Sequence, residues 1–147
     1  MQKCEQSASG RDRRERMDVL VVEDEPLVRE PAVAVLREAG FSAAGVASAE
    51  EALALAERAD DGGGGPPAVV VADLRLGPGM DGLALGAEAR RRWPEVGVVY
   101  ATGHPDSFDG RLLGPRERYV LKPFAPAALL GAVRRLYPTR LLGLALQ

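Results

Sequence analysis

Strands that alternate with helices along the chain predict an α/β domain, with a parallel sheet covered on both faces. Two observations carry that prediction. Short apolar runs, "VLVV" (Val19–Val22), "AVVVA" (Ala68–Ala72) and "VGVVYA" (Val96–Ala101), read as strands buried on both sides. Between them stand helix start and stop signals. Pro26 opens and Gly40 closes the first such segment, and Ser48 with Glu51 three residues on makes a capping box for the second.

The elements follow in order. The first strand, Val19–Val22, ends at Glu23-Asp24-Glu25, and a helix runs from Pro26 to about Ala39 with Leu27, Val33 and Leu36 apolar. "FSAAGVA" (Phe41–Ala47) is a weaker strand, and the capping box starts a helix through Arg58. "DDGGGGPP" (Asp60–Pro67) is a loop; its glycines are no phosphate motif, because no Lys-Ser/Thr follows them. After the third strand a helix spans Asp81–Arg92, and the fourth strand follows. The fifth is "RYVL" (Arg118–Leu121), and the last helix spans Ala125–Leu136. A fourth helix belongs at Pro105–Glu117, but Gly110, Gly114 and Pro115 oppose one, so that segment is expected to be weak or irregular.

The 147 residues suit one domain. Residues 1–16 are polar and aperiodic and read as a disordered tail, with Met17 a candidate start and "RDRRER" a competing basic interaction arm. The domain is expected at 17–137, with a short tail at 138–147. Net charge is −2 at pH 7, and the chain shows no basic excess of the kind that nucleic-acid binding needs. No apolar run approaches a membrane span of ~20 residues, and the N-terminus lacks the apolar core of a secretory signal. Cys4 is the only cysteine, which excludes an intrachain disulfide and fits a reducing cytoplasm. Only Lys3 and Lys122 are lysine in an arginine-rich chain. Where such a chain keeps a lysine, a compact point charge is a reason to look.

The strand ends carry the chemistry. Ligands of open parallel sheets bind beyond the carboxyl ends of the strands. There the first strand delivers Glu23 and Asp24, and the third delivers Asp73 into the "LGPGMDG" turn. The fourth brings Thr102 and the fifth Lys122. Crowded carboxylates repel unless a proton or a cation neutralises them. The all-oxygen set favours Mg²⁺ over zinc, with positions left open for phosphate oxygens. An ammonium and a hydroxyl across the pocket complete a phosphoryl clamp, with Asp73 as nucleophile. Against this stand blander roles: Asp73 as a turn cap, Tyr119 as a half-buried strand residue, His104 as a loop residue beside Thr102, and Trp93 as packing.

"VLVVEDEP", "VVVADLRLGPGMDG", "ATG" and "LKPF", in this order and spacing, resemble the receiver domain of two-component response regulators over about Asp18 to Tyr137. The resemblance implies a flavodoxin-like (βα)5 doubly wound fold with strand order 2-1-3-4-5. It implies that Asp73 accepts phosphate from a histidine kinase or a histidine phosphotransfer protein. Asp24, Asp73 and the backbone carbonyl of Arg75 would bind Mg²⁺, with Glu23 acting mainly through water. Thr102 and Lys122 would hold the phosphoryl oxygens, and Tyr119 matches the family's aromatic switch. One departure is visible: Gly77 pushes Pro78 to the fifth position after Asp73, where the family has proline at the fourth.

After Leu136 only "YPTRLLGLALQ" remains, too short for a DNA-binding domain. The expected function is therefore a stand-alone phosphoacceptor, not an enzyme, with output through an unknown downstream protein or a homodimer. Two alternatives compete. A Mg²⁺-dependent phosphohydrolase of the haloacid dehalogenase type wants an aspartate two residues after the nucleophile, where this chain has Arg75. A phosphate-independent pseudo-receiver is opposed by Asp24, Asp73, Thr102 and Lys122 all being present.

Overall fold

The computed structural model describes residues 16–104 and 113–138. Its elements are β1 (Val19–Val22), α1 (Pro26–Glu38), β2 (Ala43–Val46), α2 (Ala49–Asp61), β3 (Val69–Asp73), α3 (Gly82–Arg92), β4 (Gly97–Thr102), β5 (Glu117–Leu121) and α4 (Pro126–Leu136). The expected irregular stretch between β4 and β5 falls largely on 105–112, and the two expected tails on 1–15 and 139–147; these lie outside the described residues.

All five strands pair parallel, in the order β2-β1-β3-β4-β5. The chain thus reverses direction across the sheet between β1 and β3, the place where open α/β sheets leave a crevice at their carboxyl ends.

Strand alternation divides the core in two. Val19, Val21, Val69, Val71, Val99 and Ala101 face α1 and α4, where Val33, Leu36, Leu129 and Val133 close over them. Leu20, Val22, Val70, Ala72, Val98 and Tyr100 face α2 and α3, against Ala52, Leu53, Leu85 and Ala89. Every residue of β1, β3 and β4 is buried. At ~1.5–3 kcal/mol for each buried Val or Leu side chain, this double-sided burial fixes which runs are central.

Local signals set most helix ends. Ser48 Oγ accepts the Glu51 N–H at 3.1 Å, so the capping box is present. Asp81 proves to be the N-cap of α3, accepting the Ala84 N–H at 2.8 Å, and not its first residue. α2 runs three residues beyond Arg58 to Asp61, and Gly62 caps it. The Trp93 Nε1–H donates to Asp60 Oδ2 at 3.1 Å and so ties this extra turn to the end of α3. β5 begins one residue earlier than expected, at Glu117.

At the amino end of the sheet, Asp18 is buried and joins three elements. Tyr137 Oη donates to its Oδ1 at 2.7 Å, and the Ser42 N–H donates to its Oδ2 at 2.8 Å. The Tyr137 ring meets Phe41 edge to face at 5.2 Å.

Candidate acidic site at the strand ends

The fold brings five of the expected residues to one edge of the sheet. Glu23 and Asp24 follow β1, Asp73 ends β3, Thr102 ends β4 and Lys122 follows β5. Backbone bonds hold these tips in register. The Glu23 N–H donates to Val46 O at 3.0 Å, the Leu74 N–H to Ala101 O at 3.0 Å, and the Lys122 N–H to Thr102 O at 2.7 Å.

Lys122 crosses the mouth of the sheet. Its Nζ donates to Glu23 Oε1 at 2.8 Å and to Asp73 Oδ2 at 3.1 Å. Both carboxylates are buried, Glu23 at 4% exposure and Asp73 at 7%, whereas Asp24 is exposed. The other oxygens of the buried pair are used locally. The Arg75 N–H donates to Asp73 Oδ1 at 3.1 Å, and the Glu25 N–H to Glu23 Oε2 at 3.1 Å.

The electrostatics follow from this burial. Loss of water pushes the Glu23 carboxyl above the usual carboxylate range, and the Asp73 charge adds to that, against the opposing Lys122 ammonium and Glu25 N–H. Burial alone would lower Lys122, but its hydrogen bonds to Glu23 and Asp73 and their charges prevail and raise it.

One ligand oxygen from each of Glu23, Asp24 and Asp73 lies within 4.8 Å of the others. This set is all oxygen, with one exposed member, and suits a hard divalent cation that keeps some of its waters. Among the described residues no His or Cys joins the set, so the chemistry fits Mg²⁺ better than zinc.

Thr102 is buried, and its hydroxyl is engaged with its own loop: the His104 N–H donates to Oγ1 at 3.0 Å, and Oγ1 donates to His104 O at 3.2 Å. Tyr119 pairs with Tyr100 across β4 and β5, two positions from the Thr102–Leu121 pair and so on the same sheet face, and it is 46% exposed.

Sequence reasoning missed two kinds of residue here. One is the direct Glu23–Lys122 pair, whose partners are 99 positions apart. The other is close-packed glycine. Gly82 lies against the Asp73 carbonyl, where any Cβ would collide with backbone, and its N–H donates to Leu74 O at 3.2 Å. The "MDG" triplet was the only signal of that approach.

Residues 19–134 match the response regulator receiver domain family. The chain belongs to that family. Receiver domains bind Mg²⁺ at an acidic pocket, and this chain carries an acidic cluster of Glu23, Asp24 and Asp73. This receiver is 42% identical over 122 residues to the transcriptional regulatory protein AruR of Pseudomonas aeruginosa, covering 80% of this chain and 48% of AruR. It is 36% identical to the hydrogenase transcriptional regulatory protein HoxA of Cupriavidus necator, over 80% of this chain and 23% of HoxA. The chain therefore spans about half the length of AruR and less of HoxA. Among solved structures, it superposes on a response regulator receiver protein from Sinorhizobium medicae with a TM-score of 0.72 at 26% identity, covering 86% of this chain and 98% of that one. The receiver domain of NtrX from Brucella abortus gives a TM-score of 0.67 at 30% identity, over 83% and 99% of the two chains.

Proposed function

We propose that residues 17–137 form a phosphoacceptor domain of a two-component phosphorelay, phosphorylated on Asp73. The observation that carries this reading is the Lys122 ammonium bridging Glu23 and Asp73 at the sheet's carboxyl edge. A lysine so placed orients the aspartate and offers a cation to incoming phosphoryl oxygens.

A carboxylate oxygen of Asp73 attacks the phosphorus of a phosphohistidine, the N–P bond breaks, and the imidazole leaves with its electron pair. The Lys122 ammonium and the Thr102 hydroxyl hold the phosphoryl oxygens. Asp24, Asp73 and the Arg75 carbonyl would hold Mg²⁺, with Glu23 acting mainly through water. When bound, the ion would offset the carboxylate charge and supply a cation to the phosphoryl oxygens.

The donor is a histidine kinase or a histidine phosphotransfer protein of the cytoplasm. An apolar groove of about 460 Å³ beside Lys122, lined by Leu27, Val28, Pro31, Phe124 and Pro126, supports its docking; Leu27 is 80% exposed there. Output passes to a downstream protein or a second copy, with Tyr119 as the aromatic switch. That Tyr119 shares a sheet face with Thr102 supports this coupling. Among the described residues no helix is long and apolar enough to cross a membrane. AruR and HoxA are described as transcriptional regulators, so an attached or partner DNA-binding function stays compatible with this reading.

Incubation with acetyl phosphate and Mg²⁺, followed by intact-mass measurement, tests the proposal. One phosphate should add to the wild type and none to Asp73→Asn. Persistent labelling of that variant, or none of the wild type, sinks the assignment.

A further inference from the structure

The loop after β3 contains Gly77, Pro78 and Gly79 in succession, so its backbone has little stiffness of its own at either side of the proline. Its ends are fixed. The Arg75 N–H donates to Asp73 Oδ1 at 3.1 Å, and the Gly82 N–H donates to Leu74 O at 3.2 Å. Between those ends, a Cβ built on Gly77 would lie 3.5 Å from Asp24 Oδ2, so the middle of the loop rests on the exposed carboxylate of the acidic site.

One side chain from outside reaches that middle. Glu50, in the first turn of α2, accepts the Met80 N–H on its Oε2 at 2.9 Å. Gly79 beside it has φ +102°, and a Cβ there would stand 2.8 Å from the same oxygen. The carboxylate therefore sits over the left-handed residue and grips the next amide. Its hydrogen bonds from the Met80 N–H and from its own N–H hold its pKa below the ordinary value. Leu76 and Met80 pack on the same core cluster as Ala49 and Ala52, so loop and helix share a floor as well.

We propose that Glu50 is a positioning residue for the acidic site: its bond to Met80 holds the 74–80 loop against Asp24 and Asp73 and thereby sets the site's affinity for a divalent cation. This rests on the Mg²⁺ reading given above. Glu50 acts through the loop, not as a ligand.

The test compares Glu50→Ala with Glu50→Gln in the full chain. Both lose the carboxylate charge at the helix N-terminus, but the glutamine keeps an oxygen that accepts the Met80 N–H. Mg²⁺ affinity is measured by calorimetry, and exchange of the Met80 amide is followed by NMR without metal. Glu50→Ala should weaken Mg²⁺ binding about three- to tenfold, the range for losing one ordinary hydrogen bond, and speed Met80 exchange comparably. Glu50→Gln should stay within about twofold of wild type on both measures. Gly79→Ala, which displaces the carboxylate from the other side, should add less in the Glu50→Ala background than alone.

Equal losses in the two Glu50 variants would overturn the proposal in favour of simple charge. Unchanged Met80 exchange would remove the tether, and faster exchange with wild-type Mg²⁺ affinity would show a tether that positions nothing. A wild type that binds no Mg²⁺ would instead refute the metal reading itself, and the exchange data would still report the tether separately.

Discussion

Replacing Gly86 by alanine should destabilise this protein, although the same change in an ordinary helix stabilises. Gly86 lies inside α3, where alanine normally gains about 1 kcal/mol over glycine. Here the Tyr100 side chain, 1% exposed, crosses from β4 and occupies the space a methyl would need. A Cβ on Gly86 would overlap Tyr100 Oη and stand 2.9 Å from both Cε1 and Cζ. Tyr100 must then move, and its hydrogen bond to Glu117 Oε2, 2.8 Å long and buried, is lost. Overpacking costs about 1–3 kcal/mol and a broken bond to a buried charged group about 1.5–3 kcal/mol. Set against the propensity gain, the net loss is about 1.5–5 kcal/mol. Urea denaturation gives the answer as a lowered midpoint at unchanged slope. Tyr100→Phe supplies the second arm, because the phenyl ring lacks the oxygen of closest approach. The loss caused by Gly86→Ala should shrink by more than about 1 kcal/mol in that background. A Gly86→Ala protein as stable as wild type, or strictly additive losses, would refute the close approach. The contact bears on function because Tyr100 stands two residues before Thr102, and Glu117 also accepts the Gly114 N–H at 2.8 Å where β5 begins.

Three further outcomes are expected. Gly82→Ala, which drives a methyl into the Asp73 carbonyl, should cost about 2–4 kcal/mol and slow phosphate incorporation, read by thermal melting and the initial labelling rate. Lys122→Arg should reduce phosphorylation-dependent conformational change about tenfold or more, since a planar fork does not replace a point charge between two buried carboxylates; beryllofluoride titration followed by NMR reads it. Tyr137 is raised by burial and by its bond to Asp18, so its contribution to stability is complete below its unfolded pKa of about 10 and is lost as pH rises through the folded value. Urea midpoints should fall from about pH 9 to about pH 11, less steeply in Tyr137→Phe, which starts about 1–2 kcal/mol lower at neutral pH.

The sheet was legible because its signal is local and repeated. Val19–Val22 and Val69–Val71 are too apolar to be anything but central, and capping chemistry at Ser48 and Asp81 marks where α2 and α3 start. The ends of α2 and β5 were not legible because contacts from elsewhere set them. Trp93 holds Asp60, extending a helix whose own Asp-Asp-Gly sequence argues for stopping. Glu117 joins β5 as a buried charged residue, tolerable only because Tyr100, Gly114 and Arg90 meet its carboxylate. The strand-end rule gathered Glu23, Asp24, Asp73, Thr102 and Lys122 without any knowledge of contacts. It could not reveal that Gly82 and Gly86 are glycines of close approach, since that depends on where a distant backbone or ring arrives.

The burial of the site adds a distinction that residue types alone do not carry. Glu23 and Asp73 are out of water and share one ammonium; Asp24 is in water and has no such claim on Lys122. One ammonium thus offsets one of the two charges that solvent cannot screen, and the third carboxylate stands where solvent can screen it. Removing one partner of a buried ion pair costs about 3–5 kcal/mol, so truncating Lys122 must act on folding as well as on chemistry. Loss of phosphorylation in such a variant would therefore be ambiguous by itself. Asp24 is the position where the two effects separate. Asp24→Asn relieves repulsion between carboxylates without breaking a buried pair, so the metal-free protein should hold or gain stability while Mg²⁺ ceases to stabilise it. A variant that melts lower without metal yet still responds fully to Mg²⁺ would place the cation's ligands elsewhere.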